Sequence, residues 1–220
     1  MKRSAISVDT ASRDRSRGLP SLAPRHIVAF LGKSLFLYGL LLLAWPIVGD
    51  AYAAYLRAGG NLLFGTWGTR GRVEFRAPSE PDGKWDMVSV VTNLERGKSG
   101  LRSHSSNLLG YLPTATLAAL VLASPMPRAR RIRALIWGLL WVNLFVAFRM
   151  GLGILADFCS NDACALYVVR PWTRWILDLA VFVFLFAPAA YFVAPVCIWI
   201  LVTFRRTDWD ALFGRSKRSA

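Results

Sequence analysis

Along this chain the apolar residues gather into four long runs instead of recurring at amphipathic helix or strand periods. Runs of that kind read as helices that cross a bilayer, each needing about 20 residues. They fall at 27–48, 108–124, 134–157 and 175–203. Between the first two runs, residues 49–107 change character. AYAAYLRAGGNLLFGTWG spaces its apolar groups as a short interfacial helix does, with Tyr52, Tyr55 and Trp67 suited to the headgroup level. RVEFRA and WDMVSVVTN then alternate or run β-branched on either side of PSEPDG, which predicts two strands joined by a turn. The pattern predicts an all-α integral membrane protein of four transmembrane helices. Its small outer cap, an interfacial helix plus a β-hairpin, lies between the first and second helices. The other segments are a polar basic tail at 1–26, a basic loop at 125–133, a cysteine-containing loop at 158–174 and a basic tail at 204–220.

Composition agrees with a membrane protein: 55% of the 220 residues are hydrophobic and the mean hydropathy is +0.39. The net charge of +14 sits in short segments beside the apolar runs, not in a stripe that would follow phosphates, so nucleic acid is not the expected partner. Lys2, Arg3, Arg13, Arg15, Arg17 and Arg25 precede the first run. Arg128, Arg130, Arg131 and Arg133 precede the third, and Arg205, Arg206, Arg215, Lys217 and Arg218 follow the fourth. The positive-inside rule makes these three segments cytoplasmic, giving an N-in, C-in chain with the cap and the cysteine loop outside. Ala51-Tyr52-Ala53 has the form of a signal-peptide cleavage site, but the run before it is longer than a usual signal core, so the helix is read as retained.

Within the third run lies Arg149. A charge at the centre of a bilayer costs about 2.5–3.5 kcal/mol on insertion scales unless it snorkels or finds partners. Asp157 marks the outer end of the run, which sets Arg149 about 12 Å deep at 1.5 Å per residue. Two partners reach comparable depth: Asp178 in the fourth run, and backbone carbonyls left open near Pro113 in the second. The plain reading is an ion pair that fixes helix packing, or an arginine that snorkels. The functional reading makes Arg149 the anion-facing member of an outward-open site. SHSSNLLGY would complete that site, bringing Ser103, His104, Ser105, Ser106, Asn107 and Tyr111 to the junction of cap and second span. Helix capping by Ser105, Ser106 or Asn107 competes with a binding role. His104 is a candidate base and Ser106 a candidate nucleophile, but no second histidine or acid stands at motif spacing, so catalysis is not favoured. Cys159 and Cys164 flank SNDA and predict a disulfide in an exported loop. His104 alone does not complete a metal site with them, so neither metal nor cofactor is expected. Cys197 reads as a packed apolar residue.

The order of features (outer amphipathic helix, strand pair, polar motif opening a span, Arg-rich loop, then VNLFVAFRMGLGIL) resembles the exosortase/archaeosortase group of bacterial and archaeal membrane proteins over roughly residues 51–186. It is most similar to the small exosortase-associated membrane proteins encoded beside those enzymes. Exosortases are transpeptidases that use a Cys, an Arg and a His on successive spans. Arg149 matches the arginine. LRSHSSNLLGYLP has Ser106-Asn107 where the cysteine would stand, and RPWTRWILDLAVF has no histidine, Asp178 being its nearest polar residue. The resemblance therefore implies a non-catalytic accessory protein of a sorting or envelope-export system in the bacterial inner membrane. Such a protein would bind a partner enzyme or a sorting signal through Arg149, Asn107, Tyr111, Asp157 and Asp178. A diverged hydrolase or transferase using Ser106 or His104 with Arg149 is the enzymatic alternative. A small transporter or channel subunit is a third possibility, though one buried charge and no paired broken helices offer little of a path.

Overall fold

A computed structural model describes residues 24–79, 85–160, 164–187 and 189–203. The expected tails therefore lie outside the described residues, except for the turn of helix that starts at Pro24. So do 80–84 of the strand-joining turn and 161–163 of the cysteine loop.

Helix α1, Pro24–Leu43, runs into α2, Trp45–Phe64, with a bend of 74° at the break. Pro46 enforces that break, since it has no N–H to give the preceding turn. The Tyr111 hydroxyl donates to the Leu41 carbonyl at 2.5 Å across the bend. Four strands follow: β1 Thr66–Trp67, β2 Gly71–Arg76, β3 Met87–Asn93 and β4 Lys98–His104. They form one antiparallel meander in the order β1-β2-β3-β4. Their register places Phe75 opposite Ser89, Ser89 opposite Arg102, and Met87 opposite His104. A five-residue π-helical segment, π1 (Asn107–Tyr111), leads into α3, Leu112–Ala123. The long helix α4 spans Arg128–Ser160. Helix α5, Pro171–Val181, ends in a second π segment, π2 (Phe182–Phe186), and α6 is Ala189–Thr203.

Two corrections follow. The protein is not all-α: a four-stranded sheet replaces the expected hairpin, with the predicted strands at β2 and β3 flanked by β1 and β4. Nor does it present four membrane-length helices. Among the described residues, only Arg128–Cys159, which contains the third expected span, is long and apolar enough by itself to cross a membrane. The first expected span breaks at Leu43–Trp45, the second belongs to the shorter apolar stretch Asn107–Ala123, and the fourth is divided between α5–π2 and α6. Proline accounts for the two breaks, Pro46 in the first run and Pro188 in the fourth, because each lacks a helical donor. The second run stays continuous through Pro113 and ends at Ala123, ahead of Pro125 and Pro127.

The inner face of the sheet (Val73, Phe75, Met87, Val91) packs with Leu56 of α2 and Val146, Met150, Ile154 and Phe158 of α4. Phe158 and Met87 are fully buried, and burial of side chains this size contributes about 1.5–3 kcal/mol each. Gly60 permits the close approach of α2, since a Cβ there would stand 2.7 Å from the Phe75 ring and 2.8 Å from Met150 Cε. The next residue, Asn61, bonds the Phe75 backbone at both groups through its amide, accepting its N–H at 2.7 Å and donating to its carbonyl at 3.0 Å. This takes the place of a strand partner beyond β1. At the opposite end, Phe30 stacks on Trp199 at 5.6 Å, the Trp199 indole donates to Ser124 Oγ, and Arg130 donates to the Thr203 carbonyl. The start of α1, the end of α3, the start of α4 and the end of α6 thus meet at one end, away from the sheet. Asn61→Ala should destabilise the fold by about 1–3 kcal/mol, because two edge groups of β2 lose their partner. A thermal melt of the detergent-solubilised protein, with Asn61→Asp as a half-restored control, checks this.

Candidate functional site

Arg149 is 3% exposed on α4, and its partners are backbone carbonyls. Nε donates to the Phe184 carbonyl at 2.9 Å, and Nη1 donates to those of Leu109 at 3.0 Å and Leu108 at 3.5 Å. The guanidinium lies 4.5 Å from the Tyr191 ring centroid and 5.9 Å from that of Phe145. The carbonyls are available for a reason written in the sequence. In π1 the Leu112 N–H bonds to Asn107, so Leu108 loses its usual donor. Its next candidate, and the usual donor for Leu109, is Pro113, which has no N–H. NLLGYLP and FVFLFAP share this layout: a five-residue π segment, one residue, then proline. In π2 the Ala187 N–H bonds to Phe182, and the donor position for Phe184 falls on Pro188. Arg149 takes the carbonyl of the third residue from each segment. Of the two expected partners, the carbonyls near Pro113 are used. Asp178 is not: it is exposed on α5 and in none of the ion pairs among the described residues.

Above Arg149 a cavity of about 350 Å³ opens between the sheet, α4 and π2. Its polar wall is Arg149, Arg102, His104, Ser103, Ser105, Ser89, Asp157 and Tyr191, and its apolar wall includes Phe75, Met87, Ile154, Leu185 and Phe186. The polarity comes from β4. Its inward positions, set by the register, are Lys98, Gly100, Arg102 and His104, while Leu101 points out and is 76% exposed. A strand with no large apolar side chain on its inner face cannot complete a core, and a hollow remains. Arg102 pairs with Asp157 at 2.8 Å. His104 Nε2 lies 2.9 Å from Ser89 Oγ, each able to donate according to the tautomer. Burial, then the guanidiniums of Arg102 and Arg149, push the His104 pKa down to about 4, so the imidazole is neutral at pH 7.

Of the residues predicted for the site, Arg149, Ser103, His104, Ser105 and Asp157 meet in this cavity. Ser106 does not line it: its N–H donates to Asp86 Oδ1 at 2.7 Å and its hydroxyl to Asp86 Oδ2. Ser106 therefore ties the loop before β3 to the start of π1 and is not placed as a nucleophile. Tyr111 is buried against Trp45 and Tyr52 and committed to Leu41. Asn107 lies outside the cavity, its buried Oδ1 without a partner among the described residues. The expected Cys159–Cys164 disulfide is not formed. Cys159 lies in the last turn of α4, while Cys164 is turned to the sheet, where its thiol donates to the carbonyls of Val91 at 3.5 Å and Lys98 at 3.8 Å. Cys197 is exposed on α6 rather than packed. Ser89, Arg102 and Tyr191 were missed. The signal for Ser89 was its place among the buried alternating positions of MVSVVTN.

Comparison with protein-family models, with curated proteins and with solved structures finds no match.

Two outcomes are expected. Arg149→Leu should cost about 2–5 kcal/mol, because it strands two proline-orphaned carbonyls in the interior. Asp178→Asn, on an exposed face, should stay within about 0.5 kcal/mol. Denaturant titration in detergent distinguishes them. The second concerns pH. The unfolded imidazole titrates near 6.5 and the folded one at about 4, so the unfolded chain binds more protons between these values. The contribution of His104 to stability is then complete above pH 6.5 and is lost as pH falls toward 4. Arg102→Ala should raise the His104 pKa, read by NMR titration of the ring.

Proposed function

We propose that this chain is a non-catalytic membrane protein that seats an anionic, partly apolar end-group in the Arg149 cavity, as an accessory of an exosortase-type sorting system. The partner would be the sorting signal of a substrate or the sorting enzyme itself, met on the outer face of the bacterial inner membrane. One observation carries the reading: two guanidiniums, Arg102 and Arg149, share a cavity with one carboxylate, Asp157. Beside them stand apolar walls suited to a side chain. The opposite end supports the orientation, since the Arg-rich segment 128–133 lies there beside the end of α6. Large exposed apolar residues, including Leu35 at 72%, Leu43 at 77% and Leu201 at 74%, support contact with lipid. The membrane-length helix α4 passes from one end to the other.

A peptide with a free C-terminal carboxylate should bind the purified full chain at least about tenfold more tightly than its amide, a charge-assisted bond contributing roughly 1.5–3 kcal/mol. Arg102→Gln should abolish the difference. Equal binding of acid and amide, or intact sorting after loss of the chain, overturns the proposal.

The 2.9 Å approach of Ser89 Oγ to His104 Nε2 favours one other reading, a hydrolase or transferase with Ser89 as nucleophile and His104 as base. Full function in Ser89→Ala and His104→Ala rules it out.

A further inference from the structure

At the end of the molecule away from the sheet, α4 carries Arg130, Arg133, Ala134, Trp137 and Trp141 at spacings that place them along one helical stripe. The stripe is not a flat flank. With Leu201 and Val202 of α6 it encloses a hollow of about 310 Å³. Arg130 and Arg133 also border an adjoining hollow of about 290 Å³, at the Pro127–Ala129 turn. Arg130 is fixed across the groove by its bond from Nη2 to the Thr203 carbonyl at 2.5 Å. Arg133 is exposed and has no hydrogen bond or ion pair among the described residues. Among the described residues, no acidic side chain lines either hollow.

We infer that this groove is a binding site for the headgroup of an anionic glycerophospholipid. The order of groups along the stripe, guanidiniums and then indoles, matches the headgroup and glycerol end of such a molecule. Two guanidiniums meet the phosphate, where Arg130 is held in place by Thr203 and Arg133 has no acceptor among the described residues. Two indoles follow, 53% and 50% exposed, at the level of the glycerol and ester groups. Across the groove, Leu201 of α6, 74% exposed and two residues from the Thr203 that Arg130 holds, offers an apolar flank. Inorganic phosphate shares the anionic chemistry, but makes no use of Trp137, Trp141 or Leu201. Basic pockets between helices at the cytoplasmic surface have the physical character of lipid-headgroup sites. The inference rests on the reading of α4 as a membrane-crossing helix.

The test is native mass spectrometry of the detergent-purified full chain after incubation with equal amounts of phosphatidylglycerol and phosphatidylcholine. Phosphatidylglycerol should be retained several-fold over phosphatidylcholine. Arg133→Ala should reduce that retention about fivefold, as expected for one arginine at a lipid surface. Trp137→Ala should also reduce it, while Arg102→Gln, in the distant cavity, should leave it unchanged. Equal retention of both lipids, or unchanged retention in Arg133→Ala, overturns the site while leaving the membrane reading standing. Displacement of the lipid by millimolar inorganic phosphate marks a free-phosphate site and overturns the lipid assignment. A chain that stays monodisperse without detergent and retains neither lipid overturns the membrane reading itself.

Discussion

The fold depends on the way Arg149 completes the hydrogen bonding of two helices that proline has interrupted. A helix in an apolar interior must satisfy each carbonyl within itself or from a neighbour. Pro113 and Pro188 each delete a donor, and the π segments before them shift the remaining pairs by one residue. The orphaned carbonyls of Leu109 and Phe184 belong to elements more than seventy residues apart in sequence, yet one guanidinium reaches both. Its planar fork suits it to this, whereas a lysine ammonium offers a point charge on a flexible stem. The charge and the carbonyls solve each other's problem. A guanidinium buried alone is costly, and so are carbonyls with no donor.

The same bonds build the cavity. Arg149 ties π1 and π2 to α4 through one guanidinium, and the hollow lies beside them, under the sheet. Strand β4 then determines its chemistry, because its inner face presents Gly100, Arg102 and His104 where a core would need bulk. Arg102 is held by Asp157, and His104 is kept neutral by burial beneath two positive groups. The result is a pocket whose wall carries two guanidiniums against one carboxylate, with no cysteine in its described lining. The tie from Ser106 to Asp86 secures the entrance to π1 without spending that serine on the cavity.

Much of this was legible from residue pattern. The alternation in RVEFRA and WDMVSVVTN gave β2 and β3, and the one apolar run without an internal proline became α4. Open carbonyls near Pro113 were foreseeable as partners for Arg149. What escaped the pattern has physical causes. KSGLRSH reads as a polar loop because the one large apolar residue of β4, Leu101, faces outward, so its periodicity points the wrong way. Four apolar runs suggested four spans because hydropathy weighs side chains and ignores the donors missing at Pro46 and Pro188. Asp178 was the obvious counter-charge by sequence depth, but it stands on the exposed side of α5, and carbonyls won the arginine. Ser89 was invisible as a site residue because only the β3–β4 register brings it opposite Arg102 and beside His104.

The most direct test of this central interaction is a double-mutant cycle between Arg149 and Pro113, with stability of the full chain in detergent as the readout. Pro113→Ala returns an N–H to the backbone, so the Leu109 carbonyl regains an intrahelical donor and depends less on the guanidinium. The cost of Arg149→Leu should then be smaller in the Pro113→Ala background by about 1 kcal/mol or more. Strict additivity, with the same loss in both backgrounds, would contradict the role given to Arg149.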